Sequence, residues 1–179
     1  MKTFIRDALS VLLMAVVIFF GLRVTVGSVV VEGPSMRPSF RTGQWLVINK
    51  IVYSLHEPER GDVVILHQVN DGPDDLIKRV IGLPGESVEI REGVVYINTA
   101  DGKVFPLDEP YVAERADEPF KGGVIPENEY FVLGDSRIVS DDSRRGWTAP
   151  CENIVGKAWV SVWPLYKWGL VAHYTYKGE

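Results

Sequence analysis

Residues 76–98 read LIKRVIGLPGESVEIREGVVYIN, and the grammar of this stretch sets the fold class. Leu76 to Ile81 is a short run with β-branched apolar residues, stopped by Gly82-Leu83-Pro84-Gly85. Ser87–Ile90 and Val94–Ile97 follow as two further short runs, and the Arg91-Glu92-Gly93 step between them reads as a hairpin turn. The same pattern extends outward to Trp45–Ile48, Val63–Leu66, Tyr130–Leu133 and Ile154–Val162, with Ala100-Asp101-Gly102-Lys103 as a second turn. Seventeen glycines and eleven prolines supply the punctuation. No long helical period follows residue 30, so the expectation is a mainly β fold built on antiparallel sheet. Asp108–Gly123 is the most polar and turn-rich segment and reads as the most mobile, with Asp71–Asp75 as a smaller loop tip.

The N-terminus departs from this pattern. Ala8–Leu22 reads ALSVLLMAVVIFFGL, in which only Ser10 and Gly21 fall outside the hydrophobic set. This run accounts for a mean hydropathy of +0.03 in a chain of net charge −5. Fifteen helical residues span roughly 22 Å, short of a hydrocarbon core of about 30 Å. A snorkelling Arg23 lets Val24–Val26 lengthen the helix. A cleavable secretory signal shares the basic start and the apolar stretch, but no A-x-A site follows, which favours a retained anchor over residues 7–27. Residues 1–6 form a short tail, and 28–179 a β-rich domain in which 86–129 is a hairpin and loop insertion. Lys2, Arg6 and Arg23 against Asp7 place two net positive charges in the first 31 residues, leaving −7 on the rest. That sign disfavours nucleic acid as a partner. The single Cys151 excludes an internal disulfide and any Cys-rich zinc site.

Most catalytic templates fail on inspection. His56-Glu57-Pro58-Glu59-Arg60 lacks the second histidine of HExxH, and neither a P-loop nor GxGxxG occurs. Gly33-Pro34-Ser35-Met36-Arg37 ends in Arg where a nucleophile elbow needs Gly, and Pro38 removes the SxxK spacing. What remains is a serine in a Pro- and Gly-lined segment and a lysine among Leu76, Ile77, Val80 and Ile81. On an alternating strand Lys78 shares the face of Leu76 and Val80, where desolvation lowers its pKa. At the ordinary value of about 10.4, only on the order of one lysine in a thousand is neutral near pH 7.4. A desolvated lysine can therefore replace histidine as base for a serine nucleophile. The competing reading is a strand-end lysine that reaches solvent.

Four segments in order, PSMRPS at 34–39, RGDVV at 60–64, KRVIGLPG at 78–85 and GDSRIVSDDSR at 134–144, follow the apolar N-terminus. Together they resemble the type I signal peptidases, over Ala8 to about Val162. The resemblance implies a membrane-bound Ser/Lys endopeptidase that removes signal peptides from exported preproteins. Its single-pass anchor would sit in the plasma (inner) membrane, with the tail in the cytoplasm and a mainly β catalytic domain on the extracytoplasmic side. It implies Ser35 as nucleophile, Lys78 as general base and Ser140 as the hydroxyl that orients the lysine. An Asp142–Arg144 ion pair, Asp135 and Arg137 would support the site. The oxyanion would be bound by the Ser35 backbone N–H and, because Gly33 stands where some members carry a hydroxyl, by the backbone there. Substrate would add as a strand, with Met36, Val80 and Ile81 as candidate pocket walls. The expected partners are preprotein signal peptides and the lipid bilayer, and no cofactor or metal is expected. Trp163, Tyr166 and Trp168 are candidates for the lipid interface, whereas Trp159 reads as core. Ser39, Ser136 and Ile138-Val139 depart from the family pattern. A specialised maturation peptidase with the same chemistry, such as one serving plasmid transfer, is the alternative function.

Overall fold

The computed structural model describes residues 2–68, 74–174 and 176. The expected loop tip at Asp71–Asp75 thus lies largely outside the described residues. Helix α1 runs from Lys2 to Thr25. Within it Arg6–Thr25 is apolar enough to cross a membrane and none of that span is buried in the fold, although at its end the Thr25 carbonyl accepts from the Lys50 N–H at 2.9 Å. Twenty residues at 1.5 Å each reach about 30 Å, the thickness of a bilayer core. The hydroxyl of Ser10 donates to the Arg6 carbonyl at 2.9 Å, so its polar group is satisfied inside the helix.

The helix ends two residues before the expected boundary of the anchor. Val26 and Gly27 belong to strand β1 (Val26–Val30), which pairs antiparallel with β2 (Trp45–Asn49). The β-branched run Val24-Thr25-Val26 weakens the helix at this point, and the open edge of β2 takes up the chain. Ten further strands follow: β3 (Val63–His67), β4 (Asp75–Gly82), β5 (Ser87–Arg91), β6 (Val94–Asn98), β7 (Val104–Pro106), β8 (Phe120–Val124), β9 (Glu129–Leu133), β10 (Ala149–Pro150), β11 (Ile154–Trp163) and β12 (Gly169–Leu170). One sheet has the order β1-β2-β11-β3-β4-β9-β10 with β12 on β11, and the other β7-β6-β5-β8. Every pairing is antiparallel. The 86–129 insertion is therefore largely a sheet of its own. The β5–β6 connection turns on Glu92 (φ 51°) and Gly93 (φ 71°), the positive pair that a two-residue hairpin requires.

Strand β4 is the keystone. Ile77 packs with Met36, Leu46, Ile48 and Ile65 in one apolar cluster, and Val80 with Val64, Leu66 and Val132 in a second. Ile81 joins a third, with Val88, Ile97, Phe131 and Leu133, between the two sheets. From Ile77 to Gly82 the strand is buried without alternation, so both Lys78 and Arg79 are taken out of water.

The Asp108–Gly123 segment is less loose than its composition suggests. Glu109 and Tyr111 are buried, because their polar atoms find partners beneath the segment. The C-terminal aromatics Trp163, Tyr166 and Trp168 are exposed, and so is Trp159, against the expectation of a core position.

Candidate active site

Ser35 lies in the tight loop after β1. Met36 and Phe40 are sunk in the core beneath it, and the Phe40 N–H donates to the Met36 carbonyl at 2.8 Å. The loop is tied from the opposite side, where the Ser136 N–H donates to the Ser35 carbonyl at 2.9 Å. Ser136 thus acts through its backbone, and its carbonyl accepts from the Ser140 N–H at 3.1 Å. The nucleophile candidate is clamped between the 33–40 loop and the 134–144 segment.

Lys78 sits at the middle of β4, opposite Val64 of β3, and is only 2% exposed. It lines one groove of about 510 Å³ together with Ser35, Gly33, Val29–Val31, Ile65, Leu76 and Ile77. Burial pushes the Lys78 amine below its ordinary value, while Asp142 and Asp141 pull the other way. Both acids have other partners. Asp142 forms a two-point pair with Arg144, at 2.8 Å to Nε and 3.0 Å to Nη2, and also accepts from the Gly134 N–H. Asp141 is exposed and lies 3.8 Å from Arg145. Among the described residues no carboxylate comes within pairing distance of Lys78. Desolvation therefore prevails, and the amine is biased toward its neutral, proton-accepting form.

Gly134 shows how tightly the parts meet. A Cβ there would come within 2.5 Å of the Ser35 carbonyl oxygen and would press on Ser140 Oγ. The Ser140 hydroxyl is buried at this junction but bonds to no other described residue, Lys78 included. The orienting bond expected between Ser140 and Lys78 is thus not formed in the free chain. Asp135 and Arg137 do not pair with each other. Asp135 holds Arg79 through two contacts, 2.9 Å to Nε and 2.7 Å to Nη2. Arg137 pairs with Glu109 and donates from Nε to the Gly134 carbonyl at 3.1 Å.

Met36, Val80 and Ile81 do not line the groove: Met36 packs with the groove residues Val31, Ile65 and Ile77, while Val80 and Ile81 belong to two other apolar clusters. Val80 and Ile81 lie further along β4, where β9 and the second sheet cover them. The apolar lining of the groove is Val29–Val31, Ile65, Leu76 and Ile77, with Glu32, Asp74 and Asp75 also along it. Arg79, Glu109 and Tyr111 went unnoticed in the sequence. Apolar residues at both odd and even positions of β4 were the available signal, since a strand buried on both faces must bury Arg79 with Lys78.

One trio of potential metal ligands occurs among the described residues: Glu59, Asp62 and His173, with ligand atoms within 4.8 Å of one another. Lys157 Nζ already lies 2.5 Å from Asp62 Oδ1, an ammonium where a cation would sit.

Ser35 and the desolvated Lys78 thus line one groove, and comparison with known proteins adds the family. Residues 5–163 match the family model described as signal peptidase, peptidase S26. This chain belongs to the signal peptidase family. It is 34% identical over 181 residues to the probable signal peptidase I-1 of Synechocystis sp., covering 97% of this chain and 90% of that protein. Signal peptidase IB of Staphylococcus aureus is 33% identical over 182 residues, with 92% of each chain covered. The crystal structure of a signal peptidase I from Enterococcus faecalis superposes with a TM-score of 0.50 at 33% identity, over 57% of this chain and 97% of that one. The protein is accordingly a serine peptidase of the signal peptidase I type, mainly antiparallel β, with one N-terminal apolar helix that is a candidate membrane span.

Proposed function

We propose that this peptidase removes signal peptides from exported preproteins by a Ser35/Lys78 mechanism, held at the membrane by α1. The observation that carries this reading is the unpaired, 2% exposed Lys78 in the same groove as Ser35. Ser35 Oγ attacks the carbonyl that ends the signal segment, and Lys78 Nζ takes the hydroxyl proton. The oxyanion is bound by the Ser35 backbone N–H, with the exposed backbone at Gly33 (φ 76°) as the second contributor. Lys78 then gives its proton to the departing amine, leaving an acyl-Ser35 enzyme. The same amine activates the water that releases the signal peptide. Ser140 orients Lys78 once substrate closes the groove, since catalytic hydrogen bonds commonly tighten only in the complex. Asp142–Arg144, Asp135 and Arg137 hold the 134–144 segment in register.

Substrate enters as an extended strand between the end of β1 and the start of β4. β1 is an edge strand with one unpaired side, suited to strand addition. The branched side chains of Val29, Val31, Ile65 and Ile77 keep the pockets shallow and favour small residues before the cut. α1 spans the plasma membrane once with the β domain outside the cytoplasm, and exposed Trp163, Tyr166 and Trp168 contact the headgroup region. Cleavage of a purified preprotein in detergent tests the dyad. Ser35→Ala and Lys78→Met each abolish processing, and normal cleavage by either variant would refute it.

A further inference from the structure

Beyond β12 the chain turns back over Arg79. The Val171 N–H donates to the Trp159 carbonyl at 2.9 Å, and His173 Nδ1 lies 3.2 Å from Asp62 Oδ1. The Tyr174 carbonyl abuts Gly61, where an added Cβ would come within 2.5 Å of it. Tyr176 is buried in the cluster between the sheets. None of these residues lines the groove of Ser35 and Lys78. Their contacts nevertheless lead there by two routes.

The first route passes through Arg79. Its guanidinium lies 4.1 Å from the Tyr111 ring centroid and 5.2 Å from that of Tyr174, with the two rings 4.9 Å apart. Those rings cover the guanidinium while it grips Asp135 and donates to the Gly61 carbonyl at 2.9 Å. Arg79 is the immediate neighbour of Lys78. The second route starts at the Tyr176 hydroxyl, 2.8 Å from that of Tyr111, which donates to Glu109 at 3.0 Å. Glu109 holds Arg137, and Arg137 Nε reaches the Gly134 carbonyl. Both routes end on Gly134-Asp135, the pair of residues that backs Ser35 and Ser140. Buried charge networks keep one geometry only while every member is paired and dry.

We propose that the C-terminal segment is a positioning strap, in which Tyr174 and Tyr176 lock the Arg79–Asp135 and Arg137–Glu109 pairs and thereby seat Gly134 against Ser35 beside Lys78. The proposal rests on Ser35 and Lys78 being the dyad. Tyr174 and Tyr176 touch no substrate, so their removal acts on kcat and leaves KM alone. A loosened strap also admits water around β4, which returns Lys78 toward the ordinary lysine range. The rising limb of the pH–rate profile then moves to higher pH.

The test uses the full-length peptidase in detergent with a purified preprotein, measuring kcat, KM and the pH profile per folded enzyme. Tyr174→Leu keeps apolar bulk but removes the ring over Arg79, and Tyr176→Phe removes one oxygen. A misplacement of up to 1 Å costs up to about a hundredfold in rate. Tyr174→Leu is expected to lose between about tenfold and a hundredfold in kcat and Tyr176→Phe less, both with KM within about twofold and the rising limb shifted alkaline. Tyr174→Phe, which retains the ring, restores the wild-type rate and profile. Wild-type kcat and profile in folded Tyr174→Leu and Tyr176→Phe would overturn the strap. So would losses that follow only the folded fraction, with the profile unmoved. Should Tyr174→Leu fail to fold, Tyr176→Phe decides alone. Ser35→Ala in the same assay separates the two readings: if it is inactive and the strap variants are normal, only the strap falls, whereas an active Ser35→Ala removes the dyad and the strap together.

Discussion

Gly134→Ala is a one-carbon perturbation whose effect follows from distances. Ordinary carbon–oxygen contacts sit at about 3.3 Å, and the new Cβ would meet the Ser35 carbonyl oxygen at 2.5 Å and Ser140 Cβ at 2.6 Å. Relief against the Ser35 oxygen thus requires a shift of roughly 0.8 Å, and against Ser140 Cβ somewhat more. Neither neighbour can rotate away, since the first is backbone and the second the root of a side chain. The Ser35 carbonyl is also tied to the Ser136 N–H at 2.9 Å, so the displacement is shared between the nucleophile loop and the 134–144 segment. Overpacking of this kind costs about 1–3 kcal/mol of stability, or roughly 2–4 °C of thermal midpoint per kcal/mol at this chain length. With Ser35 as the proposed nucleophile, the same displacement is expected to lower kcat by up to about a hundredfold. Steady-state cleavage of a preprotein, with thermal unfolding in parallel, reads both effects. Gly123→Ala is the control, because a Cβ there meets nothing within 4 Å. A Gly134→Ala enzyme with kcat within about twofold of wild type would refute the claim that Ser35 is clamped through Gly134.

On the proposed mechanism Lys78→Met is expected to abolish cleavage yet to raise thermal stability near neutral pH. The native amine is depressed below its unfolded value of about 10.4, so the unfolded state binds more protons and wild-type stability rises with pH between the two values. The advantage of Lys78→Met therefore shrinks as pH approaches about 10, and thermal melts from neutral to alkaline pH reveal whether it does. Asp141→Asn removes an exposed charge that raises the Lys78 value, so the rising limb of the cleavage profile moves to lower pH; a shift to higher pH contradicts the assignment of Lys78 as base. Leu13→Arg combined with Val17→Arg places two charges at the centre of the candidate span, each costing about 2.5–3.5 kcal/mol in a bilayer. Alkaline extraction of membranes is expected to release this variant and retain the wild type.

How far the sequence reached depended on whether the deciding interactions were local. Every strand named from short β-branched runs exists, because hairpin turns such as Glu92-Gly93 and the period of the strands are written within a few residues. Lys78 was legible as a candidate for burial for the same reason, beside the reading of a strand-end lysine that reaches solvent. Arg79 shares a face with Ile77 and Ile81, but nothing near it in sequence supplies the partner that a buried guanidinium needs. Its burial depends on Tyr111 and Tyr174, which lie 32 and 95 residues further along the chain. Glu109 was hidden in a segment whose polarity reads as a loop, though that polarity is spent on Arg137 and Tyr111 inside the fold. The lining of the groove shows the same limit. Val80 and Ile81 are near Lys78 in sequence, but β4 passes from the groove into the core within two residues, and only the crossing of β9 and the second sheet determines where. The residues proposed for the chemistry thus sit in short local motifs, while the framework that holds them is encoded by residues that meet only on folding. If so, substitutions at Tyr111 or Glu109 should impair cleavage without touching any motif that identified the site, and the loss of kcat in Glu109→Gln, which leaves Arg137 buried beside a neutral partner, is the measure of that framework.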